Sequence, residues 1–85
     1  MALNQNYPYP FTGQTTISFD IPSSSTVTIV ITDINGNEVA TLHNGVLGAG
    51  KHELQFNDSA LPTGTYFYKL STPNGTLVKQ MEIVR

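Results

Sequence analysis

The sequence predicts an all-β domain of about seven short antiparallel strands folded as a two-sheet sandwich. Apolar residues recur with a period of two along most of the chain, as at Ile17, Phe19 and Ile21, the spacing of strands with one dry and one wet face. Turn-forming clusters interrupt that alternation at hairpin intervals: Pro22-Ser23-Ser24-Ser25, Asn35-Gly36, Gly48-Ala49-Gly50 and Pro73-Asn74-Gly75. No stretch shows a convincing helical period.

The first secure strand sets Ile17, Phe19 and Ile21 against Thr16, Ser18 and Asp20. In the next, Val27, Ile29 and Ile31 alternate with Thr26, Thr28 and Thr32, and Pro22 to Ser25 between the two predicts an antiparallel hairpin. Asp33-Ile34-Asn35-Gly36-Asn37-Glu38 follows, where Asn-Gly takes the positive φ values of a tight hairpin turn, with Val39 to Leu42 as a short return strand. Asn44-Gly45 and Gly48-Ala49-Gly50 are read as breaks before His52, Leu54 and Phe56 mark another alternating strand. Leu61 enters the core from a loop, and Gly64 opens a strand on which Tyr66, Tyr68 and Leu70 share one face. Leu77, Met81 and Ile83 share a face of the last strand. Val30, Phe67, Val78 and Val84 fall on the wet faces, as an exposed patch or under the other sheet or a loop. A loop leucine, a strand-opening glycine and two anchoring tyrosines fit an immunoglobulin-like sandwich, with a small barrel as the alternative fold.

At 85 residues the chain is a single domain, able to bury roughly 60 to 65% of its unfolded surface and too small for a deep cleft. Hydrophobic residues make up 39% and charged residues 12%, with a formal net charge of -2 and four basic residues. That balance argues against a phosphate-tracking surface and hence against nucleic acid. The absence of cysteine removes disulfides, thiolate catalysis and cysteine-ligated zinc, and leaves the compartment open. No apolar run approaches the roughly 18 to 20 residues of a membrane span, and Met1-Ala2-Leu3-Asn4 lacks the features of a signal peptide. Residues 1–5 are read as an added start and linker, residues 6–85 as the domain, and any export signal as part of a larger parent protein.

The residues give no support to catalysis. His43 and His52 are the only imidazoles, and no Glu-x-x-His or His-x-His spacing links them in a metal or triad pattern. Asp33 to Glu38 superficially resembles a calcium loop but lacks its length and distal bidentate glutamate. Leu61-Pro62-Thr63-Gly64 is one residue short of a Leu-Pro-x-Thr-Gly wall-anchoring signal, and no Gly-x-Ser-x-Gly elbow is present. The expectation is a domain that is not an enzyme and requires no cofactor or metal.

From Asn6 to Arg85 the chain resembles the C-terminal sorting domains of the type IX secretion system, themselves similar to the immunoglobulin-like module of a flagellar hook-capping protein. Asn6-Tyr7-Pro8-Tyr9-Pro10-Phe11 resembles the family's opening Asn-Tyr-Pro-Asn-Pro-Phe, with Tyr9 in place of asparagine, and Gln14-Thr15-Thr16-Ile17 falls at its Thr-x-Ile strand start. Asp33, Gly36, Glu38 and Val39 match its Asp-x-x-Gly-x-Glu-Val hairpin, and Gly50-Lys51-His52 its Gly-x-His. Leu61, Gly64, Tyr66, Tyr68 and Leu70 match the next motif. Lys79, Met81, Ile83 and Arg85 match the terminal Lys-x-Met-x-Ile-x-Arg, with Gln80 where a second lysine is common. The order and spacing of these motifs over nearly the whole chain make the resemblance specific.

The resemblance implies a label carried by a larger cargo protein. It implies partners in the outer-membrane components of the secretion machine and in a sortase-like peptidase that removes the label. The cargo is then exported through the periplasm to the outer-membrane surface or the extracellular space of a Gram-negative bacterium. Recognition is expected at Lys79, Met81, Ile83, Val84 and Arg85, while Gly36, Gly50, Leu61, Gly64, Tyr66, Tyr68 and Leu70 are expected to build the fold. Edge-strand addition is the expected mode of contact. The alternative is an accessory module that spaces domains or binds glycan, because Tyr7-Pro8-Tyr9-Pro10-Phe11 offers rings that could stack on a sugar, although such a segment is more often an edge strand stapled to the core.

Overall fold

The structure, a computed structural model, describes residues 1–57 and 61–84. Its strands are β1 (Ala2–Leu3), β2 (Gln14–Ile21), β3 (Ser25–Thr32), β4 (Glu38–Leu47), β5 (Gly50–Asn57), β6 (Gly64–Thr72) and β7 (Gly75–Ile83). They form two antiparallel sheets, one ordered β1-β2-β5 and the other β4-β3-β6-β7. This is the predicted immunoglobulin-like sandwich. No helix occurs among the described residues.

Alternation decides what the core contains. Ile17, Phe19 and Ile21 from β2 meet Val27, Ile29 and Ile31 from β3, joined by Tyr68, Leu70, Met81 and Ile83, and all are essentially inaccessible to water. Fully burying a side chain of this kind contributes about 1.5 to 3 kcal/mol. Leu61, half-buried, packs against this cluster from its loop.

Three local expectations change. The hairpin expected between β2 and β3 does not form, and the two strands lie in opposite sheets. Their connection contains no residue at positive φ, so it lacks the mirror-image turn that folds a strand back beside its predecessor. The chain crosses instead, and the two dry faces meet across the sandwich. The break expected at Asn44-Gly45 is absent, since β4 runs from Glu38 to Leu47 and Gly45 does not adopt positive φ. Residues 1–5, expected as a linker, take part in the fold: Ala2 and Leu3 pair with Asp20 and Phe19, and Leu3 enters the core.

The wet-face valines and Phe67 do not form one patch. Val30 is buried on the outer side of its sheet, flanked in register by Thr41 and Lys69. Phe67 is half-buried, whereas Val78 and Val84 are exposed.

The Asp33–Glu38 turn forms as predicted. The Asp33 carboxylate accepts hydrogen bonds from the backbone N–H groups of Asn35 and Asn37, and Gly36 sits at φ 86°, a conformation that disfavours other L-residues. These bonds, that from Asn37 foremost, hold the Asp33 carboxyl below its ordinary pKa.

Candidate functional site

The terminal strand carries most of the residues singled out for recognition, and its alternation sorts them. β7 pairs with β6 without a break from Ile83 opposite Gly64 to Gly75 opposite Thr72. Met81 and Ile83 point into the core and are 0% and 1% exposed. Lys79 lies opposite Tyr68 on the same core-facing row yet remains exposed, an inward-pointing edge charge of the kind that blocks uncontrolled strand pairing. Val84 is exposed, and Arg85 lies outside the described residues. Glu82, half-buried, accepts a hydrogen bond from the Thr65 hydroxyl and another from the Gln80 amide.

The free edge of β7 is partly taken. The Phe11 N–H donates to the Glu82 carbonyl at 3.1 Å, and the Val84 N–H donates to the Phe11 carbonyl at 2.9 Å. The Gln5 side-chain amide donates to the Gln80 carbonyl at 2.7 Å. A strap made from the start of the chain therefore satisfies backbone groups of the final strand that an edge otherwise leaves open. The Phe11 ring is 2% exposed and meets Phe56 edge to face at 6.3 Å.

Asn6 holds the strap in place. It is 1% exposed, and its backbone N–H donates to the Tyr68 hydroxyl at 2.9 Å. Its side-chain amide donates to the Pro8 carbonyl and to the Thr15 hydroxyl, while its side-chain oxygen accepts from Gln5. Buried polar groups persist when every donor and acceptor is matched. The Tyr68 hydroxyl donates in turn to the Asn4 carbonyl at 2.6 Å. Burial is the main cause that pushes the Tyr68 phenol up to about 12, against the opposing effect of the Asn6 N–H.

Gly64, Gly50 and Tyr66 occupy strand starts and core positions of the sandwich. Gly64 begins β6 at φ 145°, outside the range open to a residue with a Cβ. Gly50 begins β5 opposite Ile21. Tyr66 is buried and its hydroxyl donates to the Pro62 carbonyl at 2.8 Å, tying strand to preceding loop.

The histidines are held locally. His52 stacks on Phe19 and its Nε2 lies 2.7 Å from the Gly48 carbonyl, while Nε2 of His43 lies 3.3 Å from that of Gly45. Among the described residues no group of three or more His, Asp or Glu is placed to hold a metal ion. No helix among them is long and apolar enough to cross a membrane, which leaves spanning by strands unaddressed. A shallow cavity of about 580 Å³ opens on the outer side of the three-stranded sheet, where Asn4, Ser18, Asp20, Lys51 and Glu53 make it polar.

Alternation alone did not find Asn6, Gln5 or the strap. Phe11 and Asn6 belong to an opening motif that no strand period explains, and that irregularity was the available signal.

The class is an immunoglobulin-like sandwich whose distinguishing parts are a strapped final strand and its edges. The chain belongs to the family of secretion system C-terminal sorting domains, whose family model matches residues 5–84. It is a sorting signal of the type IX secretion system, and its parent is a secreted or outer-membrane-surface protein delivered by that machinery as cargo. No curated protein matches the chain.

Proposed function

We propose that the folded domain is read by outer-membrane components of the type IX machine through the exposed end of β7, at Lys79, Val84 and Arg85. Met81 and Ile83 contribute by fixing register: with both side chains locked in the core, the residues between and beyond them project at defined positions. A sortase-like peptidase then removes the domain, leaving the cargo released or surface-bound. The observation that carries this reading is the contrast along the terminal segment between buried Met81 and Ile83 and exposed Lys79 and Val84.

Point substitutions test it better than truncation, because deleting Met81 and Ile83 would also remove core. A reporter carrying Lys79→Glu with Val84→Asp should stay folded and lose surface delivery. Delivery equal to that of the unaltered reporter would overturn the assignment.

One observation favours the accessory reading. Tyr7 is 80% exposed beside Thr16 on the outer side of the three-stranded sheet, although Phe11 is buried and unavailable for sugar stacking. Titration with oligosaccharides, following Tyr7 by NMR, distinguishes the two: saturable shifts at Tyr7 support glycan binding, and their absence removes it.

A further inference from the structure

We infer that the machine docks an extended segment of its own against the open edge of β4, at His43–Leu47, as an added antiparallel or parallel strand. This deepens the sorting reading and rests on it. The two sheets present four edges, and they differ in what covers them. β7 is strapped by Phe11 and Gln5. β1 has two residues, too few to template a partner. β5 carries Lys51 and Glu53 on exposed positions, and charged side chains discourage pairing.

β4 differs on each count. It is the longest of the described strands at 10 residues, and from Val39 to Leu47 it has no lysine, arginine, carboxylate or proline. Its pairing with β3 shifts register only between Ile29 and Val30 and between Ile31 and Thr32, so Leu47 opposite Ser25 to His43 opposite Ile29 is regular. Bulges that would twist an edge away from a partner thus lie beyond this stretch.

The ladder also fixes which backbone groups are open. Glu82 and Val84 bond outward to Phe11, so the odd residues of β7 face β6, since N–H and C=O alternate sides along a strand. Carried through the registers of β6 with β7 and of β3 with β6, the alternation turns Ile29, Val27 and Ser25 toward β4. Opposite them, His43, Gly45 and Leu47 face β3, leaving the N–H and C=O groups of Asn44 and Val46 directed to the open side. The Val46 side chain is 70% exposed next to that edge. The occupant is accordingly an extended, uncharged segment with an apolar side chain to cover Val46 and backbone groups to pair with Asn44 and Val46.

The test uses a signal-peptide-bearing fluorescent reporter fused to the full chain in a host with a working type IX machine. Asn44→Pro and Val46→Pro each delete one outward N–H while leaving the β3 ladder, a position where edge strands accept proline. Gln55→Pro makes the same change at the β5 edge. Circular dichroism melting identifies folded variants, and Val46→Lys serves if the prolines unfold the chain. The expected result is about tenfold less delivery for the β4 variants, with Gln55→Pro unchanged. Equal delivery from folded β4 variants, or an equal loss from Gln55→Pro, would overturn the proposal. A concentration-dependent dimer in sedimentation that Val46→Pro abolishes would assign the edge to a second copy and overturn it likewise. Failure of the unaltered reporter to reach the surface would instead remove the sorting reading and this docking edge with it.

Discussion

The Tyr68 hydroxyl accepts a hydrogen bond from the backbone N–H of Asn6 at 2.9 Å, a contact between residues 62 apart in sequence. Tyr68 stands in the middle of β6, and Asn6 lies between β1 and the strap that closes β7. One phenol thus ties the start of the chain to the central strands, while Phe11 ties it to the end. The terminal strand is held by a segment from the start of the chain.

Tyr68→Phe should leave the sandwich intact and lower its stability. The ring still fills its site, but the Asn6 N–H and Asn4 carbonyl lose a buried partner, which costs about 1 to 3 kcal/mol. Urea denaturation measures the difference, and the midpoint should fall without a change in slope.

Alkaline titration should reveal the same residue. Tyr68 has a phenol pushed up from 10.0 to about 12 by burial, so the folded state holds its proton more tightly than the unfolded one. That contribution is fully present below the unfolded value, and it is lost as pH rises from about 10 through about 12. Urea midpoints across this window should fall in the unaltered protein and fall less in Tyr68→Phe.

Phe11→Ala should cost about 3 to 5 kcal/mol, because it removes a buried ring and leaves a cavity beside Phe56. It should also loosen the strap. Hydrogen exchange at the Val84 amide, which donates to the Phe11 carbonyl, should accelerate more than exchange in β3.

Two glycines should respond differently. Gly64→Ala places a Cβ in open space but at φ 145°, so its cost is conformational, about 1 to 3 kcal/mol. Gly36→Asn, at φ 86°, meets a conformation that asparagine tolerates. Thermal melting of the two variants should rank Gly64→Ala as the more destabilised.

Much of this molecule is legible because alternation is strong where one face is dry. Ile17 to Ile21, Val27 to Ile31 and Tyr66 to Leu70 read directly as strands. Sheet membership was not legible, since the period of two says which face is buried and not which neighbour a strand takes; β2 and β3 parted for that reason. Gly45 misled because glycine is compatible with an extended strand as well as with a turn. The opening Tyr7 to Phe11 reads as an edge strand stapled to the core, but its partners were hidden, because Asn6 meets the Tyr68 hydroxyl and Phe11 the backbone of Glu82 and Val84 across long stretches of chain, which no local pattern encodes. The terminal motif singles out Lys79 and Arg85 in the sequence, whereas the open edge of β4 depends on the order and register of all the strands, which no local pattern encodes.

The sorting role is tested by surface delivery of a signal-peptide-bearing fluorescent reporter fused to this chain, compared in hosts with and without a working type IX machine. Surface fluorescence should appear only in the host with a working machine. Reporter held in the periplasm of both hosts, while a native label is delivered normally in the competent one, would contradict that role.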